Sequence, residues 1–365
     1  MTTAATEFEP DYVVSPGEIL EEILEARGMK KRQLADRSNK STKLISQIIA
    51  GIAPVSPDTA IAFERVLGVR ASLWNNLESR YRLHLAKQDE RARLASNVAW
   101  ANRFPLARMK KFGLVGDARK PIVEDILDFF GVANTDAWEN VYLQEQQRVA
   151  FRASQAFQSS PYAIAAWLRW GEKHAESLDV PAFDRDRFKT ALNDIRALTR
   201  MTPEEFHAPL KELCSRSGVV VLWLPELDGT RLSGATKWLG PEKVMIQLSL
   251  RHRTDDHFWF SFFHEAAHVL LHGKKAVFID DASNTTTKEE DEANLFAQNH
   301  LIPRSHWARL TRTKAFSRER IVSFADELNI APGIVVGQLQ HAGLIPYTHL
   351  NGLKQKFVWA DQRYN

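Results

Sequence analysis

His264, Glu265 and His268 form an H-E-x-x-H motif within the segment FSFFHEAAHVLLHG. Residues four apart lie on the same face of an α-helix, so both imidazoles can bind one metal ion. A glutamate beside such an ion can act as a general base toward water during amide hydrolysis. The motif therefore predicts a hydrolase site with Zn²⁺ as its cofactor, in which Glu265 is the catalytic residue and the two histidines are metal ligands.

The sequence around this motif favours a buried helix. Aromatic side chains precede it in FWFSFF, and Gly273 follows it at a position where a helix commonly ends. Buried histidines and a buried glutamate need polar partners, and a metal ion provides one. Because a catalytic zinc site has three protein ligands and one open position, a third ligand is expected elsewhere in the chain.

The third ligand is expected in the acidic run that opens KEEDEANLFAQNHLIP, a segment that predicts a second helix. Four acids are available there, namely Glu289, Glu290, Asp291 and Glu292. Glu290 is favoured because it precedes Asn294 by one helical turn, so that the Asn294 amide can orient a ligand histidine. Glu292 is the alternative ligand.

Two other residues are candidates for supporting roles. His272 lies four residues after His268 and is expected to form hydrogen bonds near the helix end rather than to bind the metal. A hydrogen-bond donor to the oxyanion of the reaction is also expected, and both His272 and Tyr347 are candidates for it.

From about Gly218 to the C-terminus, the chain resembles the ImmA/IrrE family of metallopeptidases. The matching segments are GVVVLWLP, FWFSFFHEAAHVLLHG, EDEANLFAQNHLIP, IAPGIVVGQLQHAGLIP and NGLKQKFVW. In that family the glutamate four residues before the Asn or Asp of the third segment binds zinc, which agrees with Glu290. The resemblance implies a cytoplasmic zinc endopeptidase of the gluzincin type, often directed at a DNA-binding repressor.

The N-terminal part of the chain predicts a group of short helices. Serines that can cap a helix and glycines that can end one punctuate PGEILEEILEARG, KRQLADRS, STKLISQIIAG and SPDTAIAFERVLG. Only a few residues separate the second helix from the third, which is typical of a helix-turn-helix. In the third helix, Leu44, Ile45 and Ile48 are expected to face the core, so that its polar side chains remain for the major groove of DNA. The side chains predicted to contact DNA from this helix are those of Ser41, which also caps it, Thr42, Lys43, Ser46 and Gln47.

Residues 14–85 resemble the XRE-type helix-turn-helix domain, and within it the HigA-like antitoxins. The segments that match are SPGEILEEIL, LISQIIAGIAPVSPDTAIAFERVLG and SLWNNLESRYRL. Gln33 matches a position that commonly contacts the DNA backbone in this fold. The resemblance implies double-stranded operator DNA as a partner and a homodimer that binds paired half-sites. Five-helix folds of this kind also serve as pure dimerisation modules, which is the alternative.

The charge distribution favours DNA binding over that alternative. From Arg27 to Arg119 there are 19 Lys and Arg against 7 Asp and Glu, a local balance of +12 in a chain whose net charge is +3. The remainder is therefore mildly acidic, at about −9. A basic module joined to an acidic body is typical of a DNA-binding domain attached to a separate catalytic domain.

Fold class and location follow from length, composition and pattern. We predict a mainly α, multidomain chain with four parts: an XRE/HigA-like domain over 14–85, a helical linker or scaffold over 86–215, an α+β metallopeptidase core with a small sheet over 216–310, and a helical subdomain over 311–365. With no signal peptide, no apolar run near the ~20 residues of a membrane helix and one cysteine, Cys214, we expect a cytoplasmic protein without membrane contact.

Several side chains and one strand have two possible roles. Trp138, Trp167 and Trp170 either line a peptide groove or pack in a core, and core packing is favoured. Cys214 is expected to pack rather than to react. A strand predicted around LGPEKVMIQLSLR either pairs with an extended substrate, as edge strands do, or is purely structural.

The predicted function is that of a DNA-binding transcription regulator with a zinc endopeptidase domain. Its substrate would be a repressor, an antitoxin-like protein or the chain itself, in a stress, phage or toxin–antitoxin response. The alternative is an antitoxin-like repressor whose zinc domain senses a ligand or partner without proteolysis. The complete set of predicted ligands favours the peptidase, and a toxin–antitoxin fusion is a third hypothesis drawn from the HigA-like resemblance.

Overall fold

A computed structural model describes residues 13–143, 160–251, 253–273, 278–281, 287–313 and 315–358. The chain divides into two compact units, Met1–Ser96 and Asn97–Asn365. Among the described residues, no helix combines the length and the apolar character that crossing a membrane requires.

Five helices form the described part of the N-terminal unit. They are α1 (Pro16–Ala26), α2 (Lys31–Ser38), α3 (Thr42–Ile49), α4 (Pro57–Leu67) and α5 (Ala71–Ala95). Ser15, Ser41 and Ser56 precede α1, α3 and α4, and each hydroxyl accepts a hydrogen bond from the backbone N–H three residues later. Because these caps satisfy N–H groups that have no partner within the helix, they fix where each helix begins.

The core of this unit lies among its short helices. Ile45 and Ile48 of α3 are buried as expected, whereas Leu44 is half-buried and packs against the edge of the core. Phe63 of α4 and Trp74 of α5 meet edge to face, with ring centroids 5.4 Å apart. Burial on one side of α3 therefore leaves its other side at the surface.

The second unit combines helices with a four-stranded sheet. Its helices are α6 (Val98–Ala101), α7 (Leu106–Lys111), α8 (Ile122–Phe130), α9 (Thr135–Trp138), α10 (Pro161–Glu176), α11 (Arg185–Ala197), α12 (Pro203–Ser215), α13 (Asp255–Leu271), α14 (Lys288–Leu301), α15 (Arg304–Thr311), α16 (Arg318–Leu328) and α17 (Pro332–His341). Its strands are β1 (Val219–Trp223), β2 (Leu232–Trp238), β3 (Val244–Leu248) and β4 (Phe278–Asp281). The predicted fold class, mainly α with a small sheet in the C-terminal part, is confirmed.

The strand order of the sheet is β1-β3-β2-β4. β3 pairs with β1 in parallel and with β2 antiparallel, and β2 also pairs antiparallel with β4. The segment LGPEKVMIQLSLR thus contains a central strand whose backbone N–H and C=O groups are used on both sides. The hypothesis that this strand pairs with a substrate is wrong, because strand addition requires a free edge.

Helix α13 carries the H-E-x-x-H motif and is buried on nearly all sides. It packs against β2, β3, α14 and α17, and Phe258, Trp259, Phe262 and Phe263 are buried in the surrounding core. A helix that is apolar around its whole circumference is stable only inside a protein. The aromatic segment that precedes the motif therefore determines that the motif is buried.

The beginning of α13 is fixed by the C-terminal segment. The backbone N–H of Asp255 donates to the carbonyl of Gln355 over 2.9 Å, and the buried carboxylate of Asp256 pairs with Lys354 Nζ at 2.7 Å. Burial, together with the neighbouring Asp256, raises the pKa of Asp255 to about 7. These contacts anchor the helix at the end remote from its histidines.

The three tryptophans that had two possible roles belong to the core. Trp138 stacks on Tyr162 with ring centroids 4.8 Å apart, and the indole N–H of Trp167 donates to the carbonyl of Pro225 over 3.1 Å. Trp170 is also buried, as is Cys214, whose thiol has a pKa raised by burial. Core packing explains all four side chains.

Gly17 of α1 provides a test of how closely α1 and α3 pack. A Cβ atom at this position would lie 2.4 Å from the carbonyl oxygen of Ile48 and 2.5 Å from that of Ile49. We therefore expect Gly17→Ala to destabilise the N-terminal unit by about 1–3 kcal/mol, since backbone atoms cannot move aside cheaply. Hydrogen exchange of the α1 and α3 amides measures this unit by itself. Glu22→Ala, at an exposed position of the same helix, is the control, and equal protection in both variants would contradict the described packing.

Candidate metal centre

The motif residues of α13 are fully buried. His264, Glu265 and His268 are 1 %, 0 % and 1 % exposed, respectively. Glu290 reaches them from the first turn of α14, where the Thr287 hydroxyl accepts the backbone N–H of Glu290 over 3.2 Å. This cap fixes the start of α14 and so determines which acid of the run KEEDE faces α13.

Three side chains converge between the two helices. His264 Nε2 lies 3.0 Å from Glu290 Oε2, and His268 Nε2 lies 3.5 Å from Glu290 Oε1. The two Nε2 atoms are 3.0 Å apart. Ligand atoms at zinc–nitrogen or zinc–oxygen distances from a tetrahedral ion are separated by roughly 3.3 Å. The residues therefore fit Zn²⁺ in both donor type and spacing.

The opposite side of each imidazole has its own partner. His264 Nδ1 lies 3.0 Å from Asn294 Oδ1, and His268 Nδ1 lies 2.8 Å from His272 Nδ1. With Asn294 Oδ1 as acceptor, His264 carries its proton on Nδ1 and presents the Nε2 lone pair toward Glu290. The same holds for His268 when it donates to His272, whose Nε2 lies 3.3 Å from the Glu292 carboxylate. Hydrogen bonds thus orient both rings with their Nε2 atoms toward Glu290.

Electrostatics favour the protonation states that a metal requires at His268 and Glu290. Burial lowers the pKa of His268, and the hydrogen bond to Glu290 offsets only part of this effect. Burial would raise the pKa of Glu290, but its interactions with His264 and His268 outweigh this effect and lower the pKa to about 2. A neutral imidazole and an ionised carboxylate are the forms that bind zinc.

Glu290 and Glu292, the two candidate third ligands, occupy different places. Glu290 forms the group of three with the two histidines, whereas Glu292 contacts His272 and also pairs with Lys288 at 3.5 Å. The geometry supports Glu290 as the ligand. The Glu292 carboxylate instead contacts the His272 ring.

Glu265 lies against strand β2. The Thr236 hydroxyl donates to Glu265 Oε2 over 2.6 Å, and the carbonyl of Glu265 is a second acceptor at 3.1 Å. At Gly234, a Cβ atom would lie only 2.7 Å from Glu265 Oε1. Sequence reasoning missed both β2 residues. The glycine inside the strand-like segment RLSGATKW was the available signal, because such a glycine often marks a close approach.

Neither candidate for the oxyanion donor is supported. Tyr347 is 67 % exposed, and its described hydrogen bonds are made by its backbone carbonyl, which accepts from Gln340 and Asn351. Both ring nitrogens of His272 have partners, namely His268 and Glu292. The structure places His272 beside His268, and the supporting role of His272 stays a prediction.

The residues predicted to contact DNA lie on the surface of the N-terminal unit. Ser41, Thr42, Lys43 and Ser46 are exposed, and Gln47 is half-buried. Gln33 is exposed as well, and its Oε1 accepts the backbone N–H of Lys30 over 2.8 Å. This bond leaves the Gln33 amide N–H groups as donors, which is the polarity that a phosphate requires.

Comparisons with known proteins assign both parts of the chain. Residues 20–74 match the family model described as helix-turn-helix, and residues 214–330 match the model described as an IrrE N-terminal-like domain of peptidase family M78. Over 80 residues the chain is 34 % identical to virulence-associated protein I of Dichelobacter nodosus, a match that spans 22 % of this chain and 74 % of that protein.

Two solved structures are similar to part of the chain. One is an addiction module antidote protein of the HigA family from Coxiella burnetii, with 27 % identity and a TM-score of 0.21, covering 23 % of this chain and 91 % of that one. The other is a hypothetical protein from E. coli, with 24 % identity and a TM-score of 0.20, covering 24 % and 99 %.

The class that these findings define is a regulator-like chain with a DNA-binding domain and a peptidase-like domain. The chain belongs to the XRE-type helix-turn-helix family and carries an IrrE/ImmA-like domain of peptidase family M78 in its second unit. The resemblances found in the sequence are thereby confirmed. The division into four domains stays a prediction.

Substitution of Asn294 tests whether its hydrogen bond to His264 supports metal binding. We expect Asn294→Ala to weaken zinc binding by about 10- to 100-fold, because His264 loses the acceptor that fixes its ring. Competition with a chromophoric chelator measures this affinity directly. Asn299→Ala is the matched control, since Asn299 lies on the same helix but contacts Arg304. Unchanged affinity in Asn294→Ala would show that the hydrogen bond does not support a metal ligand.

Proposed function

We propose that this protein is a DNA-binding regulator whose second unit is a zinc-dependent endopeptidase. One observation carries the enzymatic part: two imidazole Nε2 atoms and a carboxylate converge beside the buried Glu265, inside a domain that matches a peptidase family. The alternative without proteolysis requires the same zinc site but gives no role to a buried general base.

In this proposal His264, His268 and Glu290 hold Zn²⁺. When bound, zinc makes water more acidic and stabilises negative charge on the carbonyl oxygen of the peptide bond. Glu265 accepts the proton of the attacking water at its carboxylate and later donates it to the leaving nitrogen. Thr236 restrains this carboxylate by donating a hydrogen bond to Oε2 over 2.6 Å, so the base is oriented before a substrate binds.

The surroundings of Glu265 suit such a role. The side chain is fully buried, and Gly234 lets β2 approach the carboxylate more closely than any residue with a Cβ atom would permit. Confinement of this kind restricts a base to few orientations, and a fixed orientation increases the rate of proton transfer. Asn294 and His272 give the ligand histidines the same kind of restraint.

DNA binding would place the peptidase at an operator. The exposed polar side chains of α3 support contacts in the major groove, and the local charge of +12 supports attraction to phosphate. We propose that the chain binds paired half-sites as a homodimer. Its protein substrate would be a repressor, an antitoxin-like protein or the chain itself, because a regulator bound at an operator is close to such proteins.

Glu265→Gln tests the enzymatic proposal. We expect this variant to retain about one zinc per chain and to lose cleavage by at least about 100-fold, because an amide cannot accept the proton. Elemental analysis measures zinc, and electrophoresis measures cleavage of the chain itself and of repressors encoded near it. Glu204→Gln, at an exposed position, is the control. Equal cleavage by native protein and Glu265→Gln would refute the mechanism, and zinc binding without any cleavage would favour the sensor alternative.

The DNA-binding proposal is tested on α3. We expect the double substitution Lys43→Ala and Gln47→Ala to weaken binding to the DNA upstream of the protein's own gene by about 10-fold or more, with a smaller salt dependence. Fluorescence anisotropy over a salt series measures both effects. Lys189→Ala, an exposed lysine of the second unit, is the control. An unchanged affinity would indicate that α3 does not contact DNA, as expected for a pure dimerisation module.

A further inference from the structure

A narrow crevice lies beside the described site in the second unit. We name it the arginine crevice, and the lining residues that matter here are Ser233, Ser249, Arg251, Arg253, His257 and Ser261. It is formed where the loop after β3 meets the first half of α13 and the beginning of β2. The proposed peptidase mechanism assigns no role to any of these residues.

The arginine crevice lies close to the general base along two elements, α13 and β2. Ser261 precedes Glu265 on α13 by one helical turn, a rise of roughly 5–6 Å. Ser233 is the chain neighbour of Gly234, whose backbone abuts the Glu265 carboxylate. An extended peptide advances by roughly 3.3 Å per residue, so the crevice is within one or two residues of a peptide bond placed at Glu265.

Its charge is positive. Arg251 donates a hydrogen bond to the carbonyl of Arg231, and Arg253 is exposed. Glu226 offsets part of this charge, since its Oε1 lies 3.4 Å from Ser249 Oγ. Burial raises the pKa of Glu226, while Arg251 and Arg253 act to lower it. Two arginines against one acid leave a net positive charge at the crevice.

The loop that carries Arg253 is held in place. Arg253 has a φ of 54°, in the left-handed region that side chains other than glycine and asparagine rarely adopt. Two backbone hydrogen bonds hold this conformation: Arg253 N–H donates to Leu250 over 3.2 Å, and Phe357 N–H donates to Arg253 over 2.8 Å. Backbone strain that the surrounding structure sustains in this way is common at ligand-binding positions.

Ser261 adds a polar group that lacks a partner among the described residues. It is 7 % exposed, it lines the crevice, and none of the residues described by the structure forms a hydrogen bond with its hydroxyl. By contrast, the Ser249 hydroxyl donates to the carbonyl of Leu232 over 2.5 Å. A nearly buried hydroxyl without a protein partner is expected to bind water or a ligand.

We propose that the arginine crevice binds the carboxylate of an aspartate or glutamate side chain, one or two residues from the peptide bond that is cleaved. Arg251 and Arg253 supply charge-assisted hydrogen bonds, and the Ser261 hydroxyl donates a further one. This inference rests on the proposed peptidase function and specifies its substrate class. Arginine is suited to carboxylates because its planar donors match the two oxygens.

The test uses the full chain with Glu265→Gln, loaded with zinc, so that peptides are bound and not cleaved. Two random 12-residue peptide libraries are passed over it, one with amidated and one with free C-termini, and the captured peptides are sequenced. The same selection is made with Arg253→Asn, Arg251→Gln and Arg253→Glu added. Asparagine is chosen at position 253 because it tolerates the left-handed backbone. Arg312→Gln, at an exposed position outside the crevice, is the control, and zinc content verifies that each variant is folded.

We expect Asp or Glu at one position to be enriched about tenfold over Asn or Gln in both libraries. Enrichment should disappear in Arg253→Asn and Arg251→Gln, persist in Arg312→Gln, and change to Lys or Arg in Arg253→Glu. Peptide capture without acidic enrichment would overturn the inference and leave the peptidase proposal standing, as would capture restricted to free C-termini. If the zinc-loaded Glu265→Gln protein captures no peptide and the zinc-loaded native protein cleaves none, the peptidase proposal is overturned, and the inference with it.

Discussion

The convergence of two imidazoles and a carboxylate between α13 and α14 is the constraint on which the second unit depends. His264, His268 and Glu290 place polar groups in a region that is otherwise packed with aromatic side chains. Such groups are stable there only if their lone pairs and N–H groups have partners. Asn294 and His272 are the hydrogen-bond partners of the two Nδ1 atoms. The proposed Zn²⁺ would be the partner of the two Nε2 atoms. Three features position α13 and α14 so that these side chains meet. They are the helix caps, the apolar residues around the motif and the C-terminal segment.

The sheet takes part in the site as well as in the core. Because β2 has a glycine at 234 and a threonine at 236, it approaches Glu265 closely on one side and donates a hydrogen bond to it. The same strand continues at Ser233 into the arginine crevice. The base and the ligands are thus placed by β2, α13 and α14, and the crevice by β2, α13 and the loop after β3. A peptide bound across them would meet the general base and the arginines within a few residues.

Local sequence information predicted the elements and the candidate ligands, whereas contacts between distant segments were harder to predict. Spacing of four residues on one helix is a local property, which is why His264 and His268 could be paired from sequence. Glu290 was favoured over Glu292 by its distance from Asn294, and the structure brings Glu290 to the histidines. Three features depend on tertiary packing, for which the sequence offers no periodic signal. They are the central position of β3 in the sheet, the close approach of Gly234 to Glu265, and the exposure of Tyr347.

The zinc content of the purified protein decides whether Glu290, together with His264 and His268, holds a zinc ion. Elemental analysis compares the native chain with Glu290→Ala and Glu292→Ala. We expect about one zinc per chain in the native protein and in Glu292→Ala, and little or none in Glu290→Ala. A native chain that takes up no zinc, or a Glu290→Ala variant that retains zinc while Glu292→Ala loses it, would refute this zinc site.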